Sequence, residues 1–336
     1  MSKVLNAGVI GLGVGARHVP GYEAGGRARV TALCDLNPDK LAEVGALYPG
    51  RRLTVDAGDI LRDPAIDVVS IASFDNFHRE QVVAAIESGK HVFVEKPLCQ
   101  TMEEFNAILA ALKANPGVKL SSNLILRRTP RFLELRRRIQ AGDMGRLYYL
   151  EGDYAYGRLP KILSGWRAEI SFYSVVHGGA IHIIDLLLWL GGGQVVEVFA
   201  YGNRITTEST AFRHNDLAAA LLKFADGRIA KVTANFGSVA PHHHRLSVYG
   251  TEATFEQGHV GAAYFHSRDP SAQPEAVTDS YPDAAKGDML PSFIAHILDG
   301  TPPDVTADDV LGVMAVSLAI EQSLASGKPE QVRILS

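Results

Sequence analysis

The stretch Lys3–Arg17, KVLNAGVIGLGVGAR, constrains the fold more than any other part of the chain. Val4, Leu5, Ala7, Val9 and Ile10 make a short apolar run closed by glycines, which suits a buried parallel strand better than a helix. Gly11, Gly13 and Ala16 then fit the dinucleotide fingerprint, with alanine in the third small position. Gly11 permits the tight turn, and Gly13, lacking a Cβ, lets a pyrophosphate approach the backbone. Ala16 lets the following helix, expected to run to about Ala24, pack close to the strand and offer N–H groups and a positive dipole end to phosphates. The expected cofactor turn is thus Gly11, Gly13, Val14, Gly15 and Ala16. A second apolar strand, Val30–Cys34, ends at Asp35, about 20 residues on, where an acid grips ribose hydroxyls and repels a 2′-phosphate. NAD is therefore expected rather than NADP. The alternative for the same residues is a buried turn followed by a helix capped by Asp35 or Asn37.

The first third continues to alternate strand and helix. Asn37 and Pro38 read as N-cap and first position of a helix through Leu47. Thr54–Ala57 is a short edge segment, and Asp67–Ala72, His91–Glu95 and Val118–Ser122 are further strands. Helices are expected at His78–Ser88 and at Thr101–Ala114, where Thr101 and Glu104 make a capping box. This alternation implies a doubly wound parallel sheet. Near Asn123 the character changes. After a helix at Arg131–Ala141, Leu147–Tyr156 reads as a strand with alternating aromatics. A helix around His182–Leu190 follows, and then strands at Val195–Asn203, Leu217–Phe224, Ile229–Phe236 and Arg245–Gly250 alternate like an antiparallel sheet covered on one face. Asp226-Gly227 marks a hairpin turn. A long helical pattern at Val305–Ser326 closes the chain. The expected domains are therefore 1–122, dinucleotide-binding, and 123–336, an α+β domain with a large, mainly antiparallel sheet.

The 336 residues carry 46% hydrophobic and 21% charged residues, enough for two domains with real cores. A net charge of −4 gives no reason to expect nucleic-acid binding. Cys34 and Cys99 make no disulfide framework, and a reducing cytosol is the expected location. No signal segment and no apolar run of bilayer length is read, so no membrane association is expected.

Three stretches carry chemistry. Ser73–His78, SFDNFH, follows a strand at its carboxyl end, where open α/β sheets bind ligands. Ser73, Asn76 and His78 are cofactor candidates there, against a reading in which Asp75 or Asn76 merely caps the next helix. Glu95, Lys96 and Pro97 end the next strand, and the Lys96 ammonium points toward the crevice for the nicotinamide. In GGAIHIID, His182 and Asp185 lie three apart on one helical face. His242–His244 precede a strand, and neighbours there point opposite ways, so no metal site is expected but one of the three can line a pocket.

GLGVGA, Asp35, DNFH, EKP, GWR at Gly165–Arg167 and GAIHIID together resemble the Gfo/Idh/MocA oxidoreductases over nearly the whole chain. The resemblance implies a Rossmann domain followed by an α+β substrate domain. It implies that Lys96 binds and polarises the substrate oxygen, that His182 exchanges the proton, and that Glu95 and Lys96 border the cofactor. Arg128, Trp166, Arg167, His177 and Asp185 are then the substrate-binding candidates. Many relatives place an Asp four residues before the His. Here that position is Gly178, with His177 adjacent.

The expected function is hydride transfer between NAD and a secondary alcohol or ketone of a sugar, cyclitol or nucleotide sugar. The alternative, favoured by Gly178, is a non-catalytic regulatory protein that binds NAD and a sugar. The open antiparallel sheet implies a homodimer or homotetramer built through the second domain.

Overall fold

The structure, a computed structural model, describes residues 3–333. Met1, Ser2 and residues 334–336, the outermost residues of the two expected domains, lie outside it. The chain divides into two compact units: Met1–Ile125 with Ala284–Leu311, and Leu126–Asp283 with Gly312–Ser336.

The first unit holds six parallel strands: β1 (Leu5–Ile10), β2 (Ala28–Cys34), β3 (Arg52–Thr54), β4 (Val68–Ile71), β5 (His91–Val94) and β6 (Leu120–Ser122). Their order is β3-β2-β1-β4-β5-β6, the doubly wound arrangement in which the strand order reverses between β1 and β4. All four residues of β4 are buried, as expected for a parallel strand covered on both faces. Asn37 caps the helix Pro38–Leu47 by accepting the Asp39 and Lys40 N–H groups. Thr101 caps Met102–Ala114 by accepting the Glu104 N–H.

The composition change at Asn123 carries no sign that the chain later returns to this unit. The returning segment contains the helix Leu290–Asp299, which was not read from the sequence. Phe293 packs on Phe93 at 5.9 Å, Arg27 pairs with Asp299 at 2.6 Å, and the Ser121 hydroxyl donates to the Val305 carbonyl at 2.9 Å.

The second unit contains a nine-stranded sheet: β7 (Leu147–Ala155), β8 (Val195–Asn203), β9 (Leu217–Phe224), β10 (Ile229–Asn235), β11 (His243–Gly250), β12 (Thr254–Gln257), β13 (Ala262–Phe265), β14 (Glu275–Val277) and β15 (Glu330–Gln331). Only β7 and β10 pair in parallel; every other pairing is antiparallel. Burial alternates along β7, β9 and β10, so one face is covered. The helix Ile181–Gly191 packs on β7, and Gly152 makes that approach possible: a Cβ there would lie 2.5 Å from Ile183 Cγ2. Asp226-Gly227 forms the β9–β10 hairpin, with Gly227 at φ 89°. The short strands β12–β15 are additions to the sequence reading.

The expectation that no apolar run reaches bilayer length needs correction. The helix Ala307–Ser326 is long and apolar enough by length and composition, although 61% of that window is buried. A core helix of this length passes the same test.

Candidate active site

In the first unit the turn after β1 is glycine-lined and partly open to solvent. Gly11 has φ 85°, and a Cβ there would lie 2.3 Å from the Ala72 carbonyl oxygen, so only glycine fits. Gly13 is exposed, and a Cβ there would meet nothing within 4 Å. The space above it is open to an approaching ligand, and Val14 beside it is 37% exposed. Gly15 is closely packed. A Cβ on Gly15 would lie 2.8 Å from Val9 Cγ1 and 3.2 Å from Ala72 Cβ, whereas Ala16 is only half-buried. The turn enters as a 3₁₀ helix, Gly15–His18, before the α-helix Val19–Glu23.

Asp35 stands at the end of β2. One carboxylate oxygen accepts the Leu12 N–H at 2.7 Å and the other the Asn37 N–H at 2.9 Å. Each oxygen keeps lone-pair capacity for a hydroxyl. An open glycine turn with a carboxylate tethered beside it fits a dinucleotide. Leu36 and Phe74, 65% and 42% exposed, flank Asp35 and Ser73 in sequence and were not read as site residues.

The Ser73 hydroxyl donates to Gln81 Oε1 at 2.7 Å, and Asn76 is exposed on the 3₁₀ turn Asp75–Phe77. His78 is fully buried, with Nδ1 2.6 Å from the Pro97 carbonyl oxygen and Nε2 3.2 Å from the Ser73 carbonyl oxygen. It ties together the two loops that follow β4 and β5.

Glu95 and Lys96 follow directly after β5. Lys96 is half-buried, while Glu95 is buried. The Glu95 carboxylate accepts from Asn123 Nδ2 at 2.7 Å and lies 3.4 Å from His18 Nε2. Burial alone would raise its pKa, but Lys286, His18 and Lys96 outweigh burial and hold it well below the usual carboxylate range. His18 Nδ1 in turn meets Ser70 Oγ at 3.1 Å, so the strand ends beneath Lys96 are joined by a buried polar chain.

In the second unit, His182 lies on the first turn of Ile181–Gly191, directly after a π-helical turn at Val176–Ala180. Such turns are rare and concentrate at functional sites. His182 is 6% exposed and stacks on Tyr154 at 6.1 Å and 20°. Tyr154 belongs to an aromatic wall: Phe236 at 5.9 Å, Tyr156 at 5.9 Å, His242 at 5.1 Å and His244 at 5.2 Å. The alternation of Tyr154 and Tyr156 at the end of β7 and just beyond it was legible as a strand, but not as a site. Tyr281 Oη meets His244 Nδ1 at 2.6 Å and accepts the His244 N–H at 3.0 Å. Burial pushes the Tyr281 phenol up to about 12, which keeps it a donor.

The remaining candidates fall in three places. Asp185 is fully buried and gives both carboxylate oxygens to Arg127, at 2.6–3.1 Å, rather than facing solvent. His177 is also buried, with its backbone N–H on Ser174 Oγ at 3.0 Å. Trp166 and Arg167 form a half-buried pair, the guanidinium 4.3 Å over the indole, and Trp166 meets Tyr173 edge-on at 6.3 Å. Arg128 is exposed. Among the described residues no group of three or more His, Cys, Asp or Glu is arranged to hold a metal ion.

Comparison with known proteins gives two family matches. Residues 5–123 match the oxidoreductase family with the NAD-binding Rossmann fold, and residues 132–256 match the Gfo/Idh/MocA C-terminal domain. The chain is 26% identical over 342 residues to a myo-inositol 2-dehydrogenase of Thermotoga maritima, covering 95% of this chain and 96% of that protein. It is 28% identical over 355 residues to a scyllo-inositol 2-dehydrogenase (NAD(+)) of Bacillus subtilis, covering 99% and 98%. In fold it is similar to a levoglucosan dehydrogenase solved with NADH and levoglucosan, with a TM-score of 0.83, 24% identity and coverage of 99% and 100%.

Proposed function

The chain belongs to the Gfo/Idh/MocA oxidoreductases, NAD(P)-dependent dehydrogenases of CH–OH groups, and from that premise we propose that it moves hydride between NAD and a secondary alcohol or ketone of a sugar, cyclitol or nucleotide sugar. The observation that carries the substrate class is the aromatic wall beside His182. Flat rings with polar edges at Tyr154, Tyr156, His242 and His244 suit a ring that has apolar C–H faces and an equatorial rim of hydroxyls.

When bound, NAD supplies the hydride acceptor, and Gly11, Gly13, Val14, Gly15, Ala16 and Asp35 would hold it. The protein supplies position and field. His182 takes the hydroxyl proton as general base, and burial favours the neutral imidazole that a base requires. The Lys96 ammonium stabilises the alkoxide character that develops as the carbinol hydrogen leaves with its electron pair. Glu95, ionised and buried behind Lys96, favours the charged ammonium. Trp166, Arg167, Arg128 and His177 are assigned to substrate hydroxyls or charged substituents. Asp185 serves the same site indirectly, by holding its helix through Arg127. Asp35 favours NAD, because its carboxylate repels a 2′-phosphate. The chain assembles as a homodimer or homotetramer through its open second sheet.

The test is turnover of a panel containing myo-inositol, scyllo-inositol, levoglucosan and a UDP-sugar, followed by NADH absorbance. On the substrate that the wild type oxidises, Lys96→Ala and His182→Gln should each lose about 10²–10⁴-fold in kcat. Near-normal turnover by Lys96→Ala would overturn the assignment. Saturable binding of NADH and sugar with no turnover of any panel member would favour the regulatory reading.

A further inference from the structure

Gly178 does not owe its identity to backbone conformation, since it is absent from the positive-φ glycines. It owes it to Tyr173. A Cβ at position 178 would lie 2.3 Å from the Tyr173 phenol oxygen and 2.9 Å from Cζ. The phenol therefore occupies the volume where a side chain at 178 would begin. Position 178 is one turn before His182, and residues four apart share a helical face. Tyr173 is 3% exposed.

A second observation places Tyr173 on the same wall as the imidazole. Tyr173 meets Phe236 at 6.2 Å, Phe236 meets Tyr154 at 5.9 Å, and Tyr154 stacks on His182. Gly179 completes the arrangement: a Cβ there would lie 2.5 Å from Tyr154 Cδ1 and 2.7 Å from Phe236 Cε2. The two consecutive glycines thus admit two tyrosines against the π-helical turn that presents His182.

We propose that Tyr173 is a positioning residue for His182: its hydroxyl, in the space opened by Gly178, reaches the imidazole through one bridging water and holds it neutral. This rests on the reading of His182 as the base. A neutral phenol donating through that water to a ring nitrogen stabilises the uncharged imidazole, whereas a carboxylate at 178 would stabilise the charged form. The chain's departure from an acid at this position then has a consequence: the base stays unprotonated to lower pH. The other titratable groups around His182 are Tyr154 on its ring, His244 and His242 across Tyr154, His177 on the preceding turn, and the Asp185–Arg127 pair one turn on.

The test is a pH titration of the full chain labelled with ¹⁵N-histidine, without ligand, the His182 signal being identified by its loss in His182→Gln. Tyr173→Phe should raise the His182 midpoint by about half a unit or more, roughly a threefold change in the protonation constant. Tyr173→Leu combined with Gly178→Asp, which exchanges phenol for carboxylate and makes room for it, should raise it further, by about one unit. A midpoint unchanged in both variants, each folded by circular dichroism, would overturn the proposal. If instead the midpoint shifts but His182→Gln turns over substrate normally, the positioning contact stands and the reading of His182 as base fails.

Discussion

Asp35 spends one lone pair of each oxygen on the backbone, Leu12 N–H on one side and Asn37 N–H on the other. That tether fixes the carboxylate beside the glycine turn that follows β1. Replacing it with an uncharged side chain removes the repulsion a 2′-phosphate would meet while Asn37 keeps its own cap. In Asp35→Ser, fluorescence titration should show the preference for NADH over NADPH falling about tenfold or more, and an unchanged preference would contradict its role. Gly11 and Asp35 were legible because their demands are local: a positive φ and an acid at a strand end. The close packing at Gly15 was only half legible: Val9, six residues back, presses on it first, but Ala72, just past the end of β4 and 57 residues on, presses on it second. Tyr173 was invisible, since no spacing rule says which phenol will lie against Gly178.

At the level of elements, the His182 helix is fixed through its first half. Gly152 lets it approach β7, and Asp185 locks it to Arg127 through side chains that are 1% and 3% exposed. Arg127 also lies 5.7 Å over Trp189 of the same helix. Removing the carboxylate takes three hydrogen bonds from a buried guanidinium. Asp185→Ala should therefore cost about 3–5 kcal/mol in urea denaturation, with or without ligand. A loss below about 1 kcal/mol would mean that the pair is not what holds the helix. The sequence shows that Asp185 shares a face with His182, which invites a catalytic role. Only packing shows that this face turns Asp185 toward Arg127.

Across the whole molecule, two buried groups set opposite ends of the acid response. Glu95 is held below its unfolded value, so the stability it contributes stands above about pH 4 and is lost only as pH falls toward its folded value. His243 is lowered to about 4, chiefly by burial and then by His259, His242 and Arg131. The folded state prefers it neutral, so its contribution stands above about pH 6.5 and is lost as pH falls from there toward 4. Melting temperature should drop between pH 7 and 5, and His243→Gln should recover on the order of 1 kcal/mol of that loss at pH 5. Equal losses in variant and wild type would remove His243 as the cause. The open face of the second sheet carries Lys231 between Glu151 and Asp153, at 2.8 and 3.5 Å, with Leu221, Ile229 and Tyr201 exposed nearby on its strands. Light scattering at micromolar concentration should give a dimer or tetramer mass. A monomer would refute assembly through this face.

The chain's own order of residues determined what depends on neighbours within a few positions: the parallel strands and their glycine turn, the caps at Asn37 and Thr101, the β9–β10 hairpin, and the residue types at Lys96 and His182. Tertiary structure alone decided which groups meet across long separations: the return of 284–311 to the first unit, Arg127 on Asp185, Tyr173 against Gly178, and the wall of rings beside His182. The division follows from physics. Backbone dihedrals and capping are local energies, while burial and close contact are properties of surfaces that exist only once the chain has folded.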